Sequence, residues 1–376
     1  MRHGPVHRDS GPAHTSKQSV GIKDIAQALG ISIGTVDRAL HGRPGINPLT
    51  RTRVLNMAQT LGYRPNVAAR YLKLQRKIRI AVHLPREIAA FYDGVAEGIR
   101  EAAAPFHSSV ELEFRTHPRL GEGEVELFRQ ALDEQTNGII LSPGHPKALN
   151  PWIRKAARGH VPVVCVSTDA PKTERLTAVS TDPYTSGAIV AELFLRTVKK
   201  SGSVMVVTGD LSTNDHAEKL RGFQEFLATG DHLRIVAVIQ AHDNPKEAYR
   251  HVSEHLSRIP DLRALYVSTA NSLPVIRAME EAKRLGQTAV MTTDLFPELI
   301  SLIQTGKVLG TVYQRPQTQG RLAFQALYRF LVEGRCPATR LRLAPHIILR
   351  SNLNLFLETE LIDLGRPSAS LDAKLI

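Results

Sequence analysis

IKDIAQALGISIGTVDRAL, at residues 22–40, contains two short apolar patterns on either side of a glycine. Ile25 and Leu29 lie four positions apart, so they predict an amphipathic helix that ends at Gly30. Ser32 is a preferred N-cap residue and predicts a second helix directly after this turn. Two short helices joined by a tight turn predict a helix-turn-helix, a motif whose second helix enters the DNA major groove.

The sequence around this motif predicts a small helical domain followed by a hinge. A third amphipathic helix is predicted from Thr50 to Leu61. Pro65 disfavours helix for the residue before it, and Asn66 is suited to cap a further short helix. We therefore expect a disordered tail at residues 1–19, a DNA-binding domain at residues 20–64, and a hinge helix with its linker at residues 65–77.

The charge of the chain is concentrated at its N-terminal end. The net charge is +12, of which residues 1–77 carry +10 and the rest only +2. A basic arm ahead of a nearly neutral body indicates a polyanionic partner for the arm alone. The alternative is a solvated tail that keeps the protein soluble.

Residues 22–40 and 50–73 together resemble the lactose-repressor (LacI/GalR) family of regulators. The second stretch reads TRTRVLNMAQTLGYRPNVAARYLK and includes the Gly-Tyr-x-Pro-Asn junction and the leucine of the hinge helix. The resemblance implies a transcription regulator, most commonly a repressor, that binds a palindromic operator as a homodimer and responds to a small sugar or polyol. Because the first twenty residues lack the apolar stretch of a secretory signal, we expect a cytoplasmic protein.

The resemblance implies DNA contacts along the second helix and the hinge. Ile33, Gly34 and Arg38 match the base-reading positions, and Arg38 either pairs with guanine or contacts phosphate or solvent. Asp37 stands where the family commonly has serine, which leaves the base code open. Leu72 matches the minor-groove wedge, with packing onto the body as its alternative. Phosphate contacts are expected from Thr35, Thr50, Tyr63 and Asn66.

From Ile78 onward, short apolar strands alternate with helical stretches, which predicts an α/β fold with doubly wound parallel sheets. This part resembles the two-lobed periplasmic-binding-protein fold that the same family uses as its sensor. We expect a ligand-binding domain at residues 78–357 and a C-terminal tail at residues 358–376. The N-lobe is expected at about 78–178 and 315–337, and the C-lobe at about 179–314 and 338–357.

The resemblance places a ligand site in the cleft between the lobes, at the ends of the strands. The matching residues are Phe91, Tyr92, Asp169, Lys219, Asn271, Asp294 and Gln314. An aromatic pair and several polar groups suit a sugar ring, although each residue also has an ordinary role in a core, at a helix cap or on the surface. Lys219 replaces the usual arginine, and Asp169 lacks the arginine that follows it in ribose-type binders, so the ligand stays open. His216 either lines the cleft or lies on the surface.

Other functional classes find little support in the sequence. There is no apolar run of transmembrane length and no apolar leader in the first twenty residues. The two cysteines, Cys165 and Cys336, form no CxxC pair, and we expect no metal and no cofactor. The tail shows no leucine heptads, so a dimer is expected rather than a tetramer. The alternatives left open are a sugar-binding receptor without a DNA role, a Rossmann-type enzyme with a scattered catalytic set, and a regulator that has lost ligand control.

Overall fold

The computed structural model describes residues 20–40, 44–61, 63 and 77–363. The chain divides into two compact units, an N-terminal one and a larger one that holds nearly all the rest. None of the described helices is long and apolar enough to cross a membrane. The predicted tail, the hinge helix with Asn66 and Leu72, and the last thirteen residues lie outside the described residues.

The described part of the N-terminal unit contains the three helices that the sequence predicts. They are α1 (Ile22–Leu29), α2 (Ile33–Leu40) and α3 (Pro48–Thr60). Gly30 ends α1 in the left-handed conformation, with φ of 62°, which glycine adopts without steric cost. The hydroxyl of Ser32 accepts a hydrogen bond from the Thr35 amide at 3.1 Å. Helix α3 begins two residues before the predicted start because Asn47 caps it and Pro48 occupies its first turn.

A small apolar core holds these three helices together. Ile25, Val36 and Val54 have no exposed surface and come from one helix each. Ala26, Ala39 and Ala58 fill the spaces between them. Because these positions face inward, the opposite face of α2 is left for solvent or a partner.

The larger unit contains two six-stranded sheets, and we call the two halves built on them the first and the second lobe. The first sheet has the order β11-β5-β4-β3-β1-β2 and is parallel throughout. Its strands are β1 (Ile78–Pro85), β2 (Val110–His117), β3 (Gly138–Leu141), β4 (Val163–Val166), β5 (Thr177–Thr181) and β11 (Arg340–Leu343). The helices of this lobe are α4 (Ala89–Ala103), α5 (Glu124–Asp133), α6 (Pro146–Arg158) and α12 (Pro316–Glu333), with a 3-10 turn at Ala104–Phe106.

The second sheet repeats the same winding, with the order β12-β10-β9-β8-β6-β7. Its strands are β6 (Gly202–Thr208), β7 (Leu233–Gln240), β8 (Leu262–Val267), β9 (Ala289–Thr293), β10 (Gly310–Tyr313) and β12 (His346–Leu349), of which β12 alone runs antiparallel among the described strands of this sheet. The helices of this lobe are α7 (Pro183–Thr197), α8 (Asn214–Leu227), α9 (Pro245–Leu256), α10 (Leu273–Glu281), α11 (Pro297–Gln304) and α13 (Leu353–Asp363).

The lobe boundaries differ from those expected from the sequence. Strand β5 extends the first sheet to Thr181, three residues past the expected boundary, and residues 340–343 pair with β5 instead of belonging to the second lobe. Strand β11 reads RLRL and is half-exposed along its length, so its composition resembles a loop more than a buried strand. Helix α13 continues to Asp363, five residues past the expected start of the tail.

The winding of both sheets fixes where a ligand can bind. In each sheet the chain reverses its direction of strand addition beside the first strand of the lobe, between β1 and β3 and between β6 and β8. In open parallel sheets the crevice at such a switch point lies beyond the carboxyl ends of the strands. The loops that follow these strands supply the site described next.

Candidate functional site

The exposed face of α2 carries the residues that the sequence predicts as base readers. Ile33 is 49% exposed, which is unusual for isoleucine, and Gly34 and Arg38 beside it are exposed as well. The guanidinium of Arg38 donates to the carbonyl of Gly34 at 3.2 Å, so it lies along this same face. An apolar side chain next to an arginine is chemistry that fits thymine methyl groups and guanine edges.

The remaining predicted DNA contacts border this face. Thr35 and Asp37 are half-buried on α2, Thr50 is half-buried in the first turn of α3, and Tyr63 is half-buried as well. Burial raises the pKa of Tyr63, and the charge of Asp37 acts in the same direction.

A cavity lies between the two lobes. Its apolar lining is Ile88, Phe91, Tyr92, Leu120 and Ala270, and its polar lining is Ser167, Thr168, Asp215, His216, Lys219, Asp243, Thr269 and Gln314. Each of these residues follows the carboxyl end of a strand or lies in the first turns of the next helix. The fold therefore gathers residues that are far apart in sequence at one point.

The aromatic wall of the cavity comes from the first turn of α4. Phe91 and Tyr92 meet edge to face, with their ring centroids 5.0 Å apart. Both side chains are buried, and burial raises the pKa of Tyr92 above its ordinary value. Apolar ring faces in this position suit the faces of a sugar ring, which carry only C–H groups.

A chain of buried hydrogen bonds crosses the polar side of the cavity. Lys219, only 2% exposed, contacts the Asp215 carboxylate at 2.7 Å and donates to Gln314 Oε1 at 2.7 Å. Gln314 in turn donates to Asp294 through its side chain at 2.6 Å and its backbone amide at 3.0 Å. Burial raises the pKa of Asp294 to about 6, while the hydrogen bonds from Gln314 act in the opposite direction. Removing one member would leave a buried charge or amide unpaired.

A second buried cluster lies on the same side. His216 Nε2 lies 3.4 Å from a carboxylate oxygen of Asp243, and the hydroxyl of Thr269 donates to the other oxygen at 2.5 Å. Burial alone would raise the pKa of Asp243, but His216, Thr269 and Lys219 together hold it below its ordinary value. Asp243 is therefore an ionised acceptor at neutral pH.

Left-handed backbone conformations cluster at this site. Ile88, Ser167 and Asp243 line the cavity with φ of 58°, 71° and 53°. Such conformations are costly for residues other than glycine, most of all for a β-branched isoleucine, and persist where the surrounding structure imposes them. They turn the chain sharply at the strand ends and aim these residues at the cavity.

Hydrogen bonds from one lobe to the other bridge the cleft. Ser212 Oγ lies 2.8 Å from His145 Nδ1, and the Thr213 hydroxyl donates to the carbonyl of Gly144 at 3.2 Å. The amide of Asp215 donates to the hydroxyl of Thr168 at 3.3 Å. The two lobes are thus held closed over the cavity by the same loops that line it.

The predicted ligand residues separate into two groups. Phe91, Tyr92, Lys219 and Gln314 line the cavity, Asp294 lies directly behind Gln314, and His216 also lines it. Asp169 does not line the cavity, because Arg175 binds its carboxylate at 2.8 Å and Arg340 at 3.1 Å. Asn271 does not line it either and lies two residues past Thr269, to whose hydroxyl its amide donates.

Asp215, Asp243 and Thr269 line the cavity but are not among the residues predicted from the sequence. Asp215 lies four positions before Lys219 on one face of α8, a spacing that the sequence does display. Asp243 precedes the capped start of α9 and has the sequence context of an ordinary loop residue, so only its position in the fold identifies it. Among the described residues, no cluster of acids, histidines and cysteines is arranged to hold a metal ion.

Two family models match the chain. The model for the periplasmic binding protein domain matches residues 80–335, and the model for bacterial regulatory proteins of the lacI family matches residues 21–66. Catabolite control protein A of Priestia megaterium is 26% identical over 315 residues, which cover 80% of this chain and 92% of that protein.

Solved structures of sugar-binding proteins share the fold of the larger unit. GanP, a glucose-galactose binding protein from Geobacillus stearothermophilus, is 25% identical with a TM-score of 0.68 and covers 74% of this chain and 99% of that one. An ABC transporter solute binding protein from Burkholderia graminis, solved with D-arabinose, is 20% identical with a TM-score of 0.69, over 74% of this chain and 97% of that one.

Proposed function

The chain belongs to the family of the periplasmic binding protein domain and carries a lacI-family regulatory domain at its N-terminal end. We therefore propose that it is a DNA-binding transcription regulator, a repressor, controlled by a sugar or polyol in the interlobe cavity. The observation that carries the proposal is the presence in one chain of an exposed base-reading face on α2 and a buried polar cavity between two lobes.

The DNA-binding side of the proposal assigns separate roles to the N-terminal residues. Arg38 reads a guanine, Ile33 contacts a thymine methyl group, and Gly34 allows the backbone to approach the groove. Phosphate contacts from Thr35, Thr50, Tyr63 and Asn66 position the domain. Asp37 accepts a hydrogen bond from a cytosine amino group or orients Arg38, because a carboxylate is repelled by phosphate.

The proposal includes a homodimer that recognises a palindromic operator. Two copies of Leu72, one from each subunit, enter the minor groove at the centre of the site and unstack a base step. Two-fold symmetry of the protein then requires two-fold symmetry of the DNA. Such a regulator acts in the cytoplasm, where the operator is.

The effector controls DNA binding through its different affinities for the open and closed cleft. Three hydrogen bonds between the lobes hold the closed form, and ligand groups in the cavity add to them. A ligand shifts the balance between the two forms only by the ratio of its affinities for them. The lobe arrangement then decides whether the paired hinge segments can fold in the minor groove. The ligand is bound and released unchanged, so the protein is not an enzyme.

Fluorescence anisotropy tests this function directly. The purified protein is titrated into labelled DNA from upstream of its own gene and its neighbours, at fixed salt, with and without pentoses, hexoses and inositols. Sequence-selective binding that one sugar alters is the expected result. Binding equal to that of random DNA, with a steep salt dependence, would mean purely electrostatic attraction. Sugar binding without any DNA binding would favour a receptor without a DNA role.

A further inference from the structure

Three polar side chains in the cavity have atoms without a hydrogen-bond partner among the described residues. These atoms are Asp215 Oδ1, His216 Nδ1 and Ser167 Oγ. The three residues are 8%, 5% and 8% exposed and all line the cavity. A buried polar atom without a partner is costly, so each marks a place where a ligand atom gains by binding.

The other polar groups of the cavity are already engaged. Lys219 contacts Asp215 Oδ2 and donates to Gln314, and Asp243 is held by Thr269 and His216. Among the described residues of the cavity, the charged atom without a hydrogen-bond partner is therefore the carboxylate oxygen Asp215 Oδ1. An ionised carboxylate can only accept hydrogen bonds, so the ligand must bring a donor to Asp215.

The charges around the cavity favour a cationic donor over a neutral one. Asp215 and Asp243 line the cavity and Asp294 lies directly behind Gln314, whereas the cationic side is Lys219 and the His216 ring that pairs with Asp243. Three carboxylates thus face two such groups, so a ligand anion would meet an excess of carboxylates, while an ammonium group would offset it. A charge-assisted hydrogen bond is also the strongest that Asp215 can accept.

Resting on the function proposed above, we propose that the effector is an aminated polyol, an amino sugar or an aminocyclitol, whose ammonium group binds Asp215 Oδ1. The ring lies against Phe91 and Tyr92, and its hydroxyls pair with Ser167 and His216.

Isothermal titration calorimetry on the full chain tests this inference with matched ligands. Glucosamine, galactosamine and mannosamine are each compared with the parent hexose and with the N-acetyl derivative, which keeps the ring but loses the charge. The expected result is that the tightest ligand is a free amine, about tenfold or more tighter than both of its uncharged counterparts. These comparisons use unaltered protein, so no variant has to fold.

The outcomes separate this inference from the broader function. If a neutral hexose binds as tightly as its amine, the inference is overturned while sugar control stands. If no member of the panel binds, the inference fails too, and operator binding alone then decides the broader function.

Two variants of α8 test whether Asp215 causes the preference for the amine. Asp215→Asn removes the charge at the same size and should abolish the preference for the amine over its matched hexose, so the readout is the ratio of the two affinities and not the affinity for either sugar alone. Glu218→Gln is the matched control, because Glu218 is on the same helix but pairs with Arg221 at 2.7 Å outside the cavity. Circular dichroism melting checks that both variants fold. An unchanged amine preference in Asp215→Asn would contradict the assignment of Asp215.

Discussion

Single residues of the cavity combine stability with recognition. Lys219 is almost fully buried and contacts both a carboxylate and an amide, so it holds Asp215 and Gln314 in place, while Asp215 Oδ1 has no hydrogen-bond partner among the described residues. The sequence predicted Lys219 and Gln314 as ligand contacts, but it gave no sign that they would bind each other. Side-chain pairing between elements that are 95 positions apart depends on the fold and cannot be derived from local pattern.

Arg38 is the residue whose replacement separates base reading from simple charge attraction. Arg38→Ala should weaken binding to the operator by about 1–3 kcal/mol and leave binding to random DNA nearly unchanged, because a bidentate contact to guanine is specific. Anisotropy titrations on both DNAs measure the difference. Arg196→Ala, at a 74% exposed arginine of α7, is the charge-matched control. An equal loss on both DNAs would assign Arg38 to a phosphate instead.

His83 makes the stability of the larger unit depend on pH. This side chain of β1 is 1% exposed, and neither ring nitrogen has a hydrogen-bond partner among the described residues. Burial, with His117 and Arg115 nearby, lowers the pKa of His83 to about 3, against about 6.5 in an unfolded chain. The folded protein therefore excludes a proton that the unfolded chain accepts, so stability is fully present above pH 6.5 and is lost as the pH falls toward 3.

The expected contribution of His83 is a loss of about 2 kcal/mol between pH 7 and pH 5. His83→Leu should remove this loss, because an apolar side chain replaces a ring whose nitrogens are unsatisfied. Urea unfolding at the two pH values measures the free energy of unfolding. His107→Leu, at an exposed histidine, should keep the pH dependence. If the free energy of unfolding falls by the same amount between the two pH values in His83→Leu and in wild type, other groups cause the pH dependence.

At the scale of elements, close helix packing positions the polar side of the site. Helices α7 and α8 approach each other through Gly187 and Gly222. A Cβ atom at Gly187 would lie 1.9 Å from the carbonyl oxygen of Lys219, a distance that forces the backbone of α8 to move. The place of Lys219 in the cavity therefore depends on a glycine in the neighbouring helix.

Gly187→Ala tests this dependence. The variant should weaken ligand binding by about tenfold and lower the melting temperature, because α8 must shift and carry Lys219 with it. Calorimetry and thermal melting measure the two effects. Gly34→Ala is the matched control, since nothing lies within 3.8 Å of a Cβ at that helical position. If Gly187→Ala binds the ligand with unaltered affinity, the position of α8 does not determine ligand affinity.

The sequence predicted the elements unevenly, and the reason is physical. Buried strands such as β3 and β4 are continuous apolar runs, which a sequence pattern predicts. The patterns of β2, β5 and β11 are weaker, because β2 and β11 are partly exposed sheet edges and β5 is rich in threonine and serine. The weak patterns of β5 and β11 are also why the expected lobe boundaries differ from the observed ones.

At the scale of the whole molecule, the family resemblance predicted the order of the domains and the two lobes, and the family models agree with it. The set of cavity residues could be predicted only in part, since the resemblance points to conserved types of contact and not to residues particular to this chain. Asp215, His216 and Lys219 come from the first turns of α8, after β6, and Asp243 comes from the loop after β7.

In the proposed regulator the cavity and the operator site are coupled, and thermodynamic linkage tests this coupling. The ligand dissociation constant is measured by calorimetry for the free protein and for the protein saturated with operator DNA. If the ligand changes operator affinity by some factor, the operator must change ligand affinity by the same factor. We expect a shift of about fivefold or more in the dissociation constant, equal in the two experiments. Identical ligand affinity with and without operator would contradict it.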